Sequence, residues 1–99
     1  MGDEVLDPVW RLVAPEGLLW HHWEHDSTLF NRLTGETHLL GPLPVELLVM
    51  LQDGPRRLSE LARLLGALCD HPVDEGWMRR VEGMLEELES LELVERQYE

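Results

Sequence analysis

Apolar residues recur along the chain with two different periods, and the change between them falls near Gly41. From Leu18 to Leu40, short runs rich in Trp, Leu, Phe and Thr are separated by turn residues, which suits strands; beyond Gly41, leucines return at three- and four-residue intervals, which suits amphipathic helices. Leu18 to His25 predicts a first strand of this half, with Leu18 and Trp20 on one side and Leu19 and Trp23 on the other. Both faces are therefore partly apolar, and one is expected to cover helices while the other meets the N-terminal segment or a partner. Asp26-Ser27 supplies a turn, Thr28 to Leu33 a second strand, Thr34-Gly35-Glu36 the next turn, and Thr37 to Leu40 a third strand. Gly35 can take the positive φ that a tight hairpin requires. The result is a three-stranded antiparallel meander whose last strand lies at a sheet edge, offering main-chain groups to another peptide.

The helical half begins at Gly41-Pro42-Leu43-Pro44, where Pro44 fits a first turn and Glu46 complements the positive helix N-terminus. Leu43, Leu47, Met50 and Leu51 share one stripe, and Asp53-Gly54-Pro55 stops the helix. A second helix is expected from Ser59, as N-cap, to the residues before His71-Pro72, burying Leu61, Leu64, Leu65 and Leu68. The third has Asp74 as N-cap, Glu75 in its first turn, and Val73 placed to staple onto Met78. It runs to about Leu91 with Trp77, Val81, Met84, Leu88 and Leu91 at helical spacing, widened by Met78 and Leu85. Glu82, Glu86, Glu87 and Glu89 form a solvated face, and Leu93-Val94 returns to the core. Residues 1–17, with Pro8, Pro15 and Gly17, read as an extended lead-in that packs by Trp10 and Leu12, and 18–99 as a single domain. The fold class is α+β, a three-stranded antiparallel sheet followed by three helices.

Composition narrows the function classes. Eight Arg and no Lys stand against twenty Asp and Glu, a formal net charge of −12, so the summed field repels phosphate and anionic lipid. Neither nucleic acid nor membrane is an expected partner. The acidic start Met1-Gly2-Asp3-Glu4 does not resemble a signal peptide, and the one cysteine, Cys69, cannot close an intrachain disulfide, so a cytoplasmic protein with a buried, inert Cys69 is expected.

No nucleophile with a positioned base, no phosphate-binding glycine loop and no cysteine metal spacing appears, which favours a binding protein over an enzyme, with no cofactor. His21 and His25 share one face of an extended strand and His38 lies on a nearby strand, but three ligands at zinc geometry are not specified, and no metal is expected. Trp20, Trp23 and Trp77 read as core or sheet-packing residues, since the acidic field opposes a nucleic-acid stacking platform.

The run Leu18-Leu19-Trp20-His21-His22-Trp23, the Leu29 to Leu33 strand with its Thr34-Gly35 turn, Gly35-Glu36-Thr37-His38-Leu39-Leu40, the Leu58-Ser59-Glu60-Leu61-Ala62 helix entry, and Leu88, Leu91, Leu93 and Val94 together resemble the PqqD family of peptide chaperones. The pattern is most similar to the PqqD-like subgroup associated with an HPr-kinase-related protein, and departs from the family where Glu92 replaces a common glycine. The resemblance implies a winged-helix-like element that binds the leader segment of a ribosomally synthesised precursor peptide and delivers it to a modifying enzyme of the same pathway. The leader would add as a strand beside Thr37, His38, Leu39 and Leu40, its apolar side chains entering a groove that Trp77, Arg80, Val81, Met84 and Leu88 line. Arg80 would pair with a leader carboxylate, and Met84 would adapt to varied apolar groups. Two other classes share these elements. A winged-helix transcription factor needs a basic recognition helix, which the acidic third helix is not. A self-associating adaptor, a homodimer through the same edge, remains open.

Overall fold

Trp10 and Leu12 are buried while Arg11 between them is exposed, and this two-residue alternation makes a strand of the segment expected to be a lead-in. The computed structural model describes residues 7–22, 27–32 and 34–97. In chain order they form β1 (Val9–Leu12), a 3-10 turn (Pro15–Gly17), β2 (Leu18–His22), β3 (Ser27–Asn31), β4 (Glu36–Leu40), α1 (Pro42–Leu51), β5 (Arg56–Arg57), α2 (Leu58–Cys69), α3 (Glu75–Ser90) and β6 (Val94–Gln97). The fold is α+β, but with two antiparallel three-stranded sheets rather than one. The expected meander is the β2-β3-β4 sheet. The second has the order β5-β1-β6, with Trp10 opposite Arg56 on one side and Arg96 on the other. Its pairings join residues far apart in sequence, so no local pattern announces them.

Trp23, Glu24, His25, Asp26 and Leu33 lie outside the described residues, as do residues 1–6. Ser27, expected in a turn, opens β3 and is buried, opposite His22 and Leu40. Side chains of both sheets and all three helices meet in one apolar cluster, centred on Trp10, Leu29, Leu47, Leu61, Val81 and Leu85. Leu93 and Val94 join it, as expected.

The helix ends carry the local chemistry. In α1 the buried set is Val45, Leu47, Leu48 and Leu51, with Leu43 and Met50 half-buried, because this helix packs against α2, α3 and β1 and needs a broader apolar face than one stripe. The α2 N-cap is Arg57, which gives no side-chain cap, and Ser59 already lies inside the helix. The cap comes from the N-terminal segment: Ser59 donates its backbone N–H and its hydroxyl to the two Asp7 carboxylate oxygens, both at 2.7 Å, and Leu58 N–H donates to Pro8 O at 2.9 Å. An anion at orphan N–H groups also complements the helix dipole.

Burial along α2 stops at Gly66. There the chain folds back, with His71 N–H donating to Gly66 O and the space a Cβ would need taken by His71 O, at 2.9 Å, and by Val73. Leu68 and Cys69 lie beyond this crossing and are exposed, and Leu64 is only half-buried, contrary to the sequence expectation for all three.

Asp74 caps α3 as expected, its Oδ1 accepting Trp77 N–H at 2.8 Å. Val73 is half exposed and packs toward Gly66. The far end of α3 closes with two bonds, Glu92 N–H to Glu89 O at 2.9 Å and Leu93 N–H to Leu88 O at 3.1 Å, with buried Leu88 and Leu93 completing a Schellman ending. Its left-handed position is held by Glu92 at φ 65°, so a glycine there would suit the backbone better.

Two stability changes follow. Asp7→Ala is expected to cost about 1 kcal/mol in urea unfolding, through the loss of the α2 cap. Glu92→Gly is expected to stabilise by about 0.5–1 kcal/mol, since relief of the left-handed backbone outweighs the flexibility glycine adds to the unfolded chain.

Candidate functional site

The β2-β3-β4 sheet has β4 at one end, and its register fixes which side chains face inward and which main-chain groups face outward. Trp20, Leu29 and His38 form one cross-strand row, on the core face; Leu19, Phe30 and Thr37 form the next, on the opposite face, followed by His21, Thr28 and Leu39. Leu40 is therefore buried and Leu39 is 70% exposed. Arg32 N–H donates to Gly17 O at 2.8 Å, just beyond the β2–β3 ladder. By alternation, Phe30 and Thr28 turn their main-chain groups to β2, whereas Asn31, Leu29 and Ser27 turn theirs to β4. Glu36, His38 and Leu40 are the β4 partners of those three, so the N–H and C=O groups of Thr37 and Leu39 point away from the sheet. Among the described residues, no strand pairs with that edge.

The same parity separates the histidines. His21 is on the outer face and His38 on the inner, where its Nε2 lies 3.6 Å from the Glu36 carboxylate, while His25 is outside the described residues. Among the described residues no three metal-ligating side chains are grouped.

The residues expected to line the groove divide between core and surface. Trp77, Val81 and Leu88 are buried, Met84 is half-buried against the core, and Arg80 is exposed. Trp77 holds α3 to α2: its indole Nε1–H donates to Ala62 O at 2.9 Å, His71 stacks on its ring at 4.1 Å, and the Arg80 guanidinium lies 5.8 Å from the ring centre. The closest associations of α3 are with α2, α1 and β6. Trp77, Val81 and Leu88 are thus committed to helix packing, as Leu40 is to the core, and none of the four presents a surface to a ligand in this conformation. The physical reason is that one helix stripe cannot both fill a core and line a groove.

The outer sheet face is the second apolar face, expected to meet the N-terminal segment or a partner. Leu19, Phe30 and Leu39 are all exposed there, and the N-terminal strand β1 pairs in the other sheet instead. Shallow concavities also occur among the described residues. One, of about 510 Å³, lies at the α2–α3 turn around Arg63, Asp70, His71 and Val73; another, of about 420 Å³, lies between the β3–β4 turn and the end of α3, around Asn31, Thr34, Glu89 and Glu92. No described helix is long and apolar enough to cross a membrane.

Comparison of the chain with protein-family models, with curated proteins and with solved structures finds no match.

The division of the α3 residues has a measurable consequence. Trp77→Ala is expected to destabilise the fold by about 3–5 kcal/mol in chemical denaturation, as removal of a core aromatic does, whereas Arg80→Ala should change stability by less than about 1 kcal/mol.

Proposed function

We propose that the protein is a peptide-binding adaptor that takes up an extended segment by strand addition at β4, the segment being the leader of a ribosomally synthesised precursor peptide presented to a modifying enzyme. The observation that carries this reading is the outward direction of the Thr37 and Leu39 main-chain groups at an edge with no neighbouring strand among the described residues. Such an edge gains affinity from main-chain hydrogen bonds, and the alternating side chains of the incoming strand give specificity. The PqqD-like sequence pattern supports the same role. So does the order of elements: the α2–α3 pair is flanked by β5 and β6, which join β1 in a small sheet, an arrangement compatible with a winged helix. The strongly acidic surface disfavours the transcription-factor use of such an element. We read the protein as a cytoplasmic binding module rather than a catalyst.

The groove proposed from the sequence is reduced in this reading. Thr37 and Leu39 give the main-chain contacts, His38 and Leu40 fix the strand from within, and of the five α3 residues proposed for the groove only Arg80 and Met84 are not buried.

Calorimetric titration with the leader segment of a precursor encoded near this gene tests the proposal. Leu39→Pro, which removes an outward donor while leaving the donors to β3 in place, is expected to weaken binding at least about tenfold, the equivalent of one lost hydrogen bond of roughly 1.4 kcal/mol. Near-ultraviolet circular dichroism of the tryptophans checks that the variant is folded. Unchanged affinity in a folded variant contradicts strand addition at this edge.

A further inference from the structure

We propose that the outer face of the β2-β3-β4 sheet reads the side chains of the added strand, selecting an apolar residue beside Leu39 within a peptide of net positive charge. The inference rests on the strand-addition reading and adds which peptides the edge accepts.

Three observations carry it. Leu19 and Phe30 stand directly opposite each other on β2 and β3, and Phe30 is diagonal to Leu39, two residues along from its own partner Thr37. Cross-strand and diagonal neighbours lie within about 5–8 Å, so these side chains make an apolar path across the sheet that ends at the open edge. Leu39 is the most exposed of the three, 70% against 47% for Leu19 and 37% for Phe30, because it lacks a neighbour on one side. A strand hydrogen-bonded to Thr37 and Leu39 supplies that neighbour, and an aliphatic or aromatic residue there continues the path.

The size of the face favours a strand over a protein surface. From a strand spacing of about 4.8 Å and a rise of about 3.4 Å per residue, a three-stranded sheet of this length presents roughly 250 Å². A stable protein interface needs about 800 Å² from each partner. The face is therefore suited to one peptide strand that adds its own edge hydrogen bonds, and too small for a second copy packed face to face.

Charge selects the same occupant. Leu19, Thr28, Phe30, Thr37 and Leu39 are uncharged, and the charge beside them is that of Arg32, whose guanidinium donates to Glu16 O, while the chain carries −12. Among the described residues, Arg11 is engaged with Glu95, Arg56 with Glu60 and Asp53, and Arg96 with Glu86. The neutral face lies in a net negative field, which attracts a cationic peptide and repels a second copy of this chain.

The test uses fluorescent twelve-residue peptides with a central Thr-Leu-Thr-Leu-Thr or Thr-Ser-Thr-Ser-Thr segment, flanked by Lys or by Glu, titrated by anisotropy onto the wild-type chain and onto Leu39→Ser and Phe30→Ser. Both substitutions are at exposed positions. The Lys-flanked Leu peptide is expected to bind at least about tenfold more tightly than its Ser and its Glu-flanked counterparts, to lose roughly that factor on either variant, and to weaken with added salt. Equal binding of the Leu and Ser peptides, or affinity unchanged in both variants, overturns the side-chain reading; if Leu39→Pro still weakens leader binding about tenfold, strand addition survives without it. Equal binding of Lys- and Glu-flanked peptides overturns the charge selection. A wild-type dimer in light scattering that Leu39→Ser disperses overturns the proposal by placing a second copy on the face. Absence of binding by all four peptides also overturns it, and leader calorimetry then decides the strand-addition reading separately.

Discussion

The pleat of the β2-β3-β4 sheet is the constraint from which the rest follows. A strand sends successive side chains to opposite faces and, in a ladder, successive main-chain groups to opposite neighbours. Once Leu29 and Leu40 are committed to the core, Phe30 and Leu39 must face outward. Once Arg32 N–H bonds Gly17 O, the Thr37 and Leu39 main-chain groups must leave the sheet. A shift of one residue would bury Leu39, expose Leu40, and exchange the open donors for those of His38 and Leu40. Exposure of the apolar side chain and openness of the edge thus have one cause and occur at the same residue.

The other half of the molecule holds that sheet on a fixed support. β1 lies between β5 and β6, so the segment before the meander, the link between the helices and the C-terminal strand are joined in one ladder. Trp10 is at its centre, fully buried, with the Arg96 guanidinium 4.8 Å above its ring. Asp7, three residues earlier, caps α2, and Trp77 then fastens α3 to α2 through Ala62 O. These contacts link distant segments, so an N-terminal segment that reads in sequence as an extended lead-in anchors the helices.

Legibility from sequence followed the range of the interactions. The meander, the three helices and the Asp74 cap are set by local periodicity and turn chemistry, and each is present. The second sheet and the Asp7 cap are not visible locally, because their partners lie about fifty or more residues away. The same limit explains Ser59: it has the right composition for a cap, yet the helix starts before it because Asp7 already serves its N–H. Cys69 and Leu68 fail for a different reason. Their spacing fits a buried stripe, but the return of the chain at Gly66 ends the cover one turn earlier. In the candidate site, the edge was legible from the hairpin, whereas the division of α3 between core and groove depends on which neighbours pack against it.

The β4 edge presents the Thr37 and Leu39 amides and withholds those of His38 and Leu40. Residue-resolved amide hydrogen exchange on the free protein, repeated at several dilutions, measures this directly. Slow exchange at His38 and Leu40, with fast exchange at Thr37 and Leu39 at every dilution, is the predicted result. Protection of Thr37 and Leu39 that persists on dilution would mean that another segment of the chain already covers the edge, which would contradict an open docking strand.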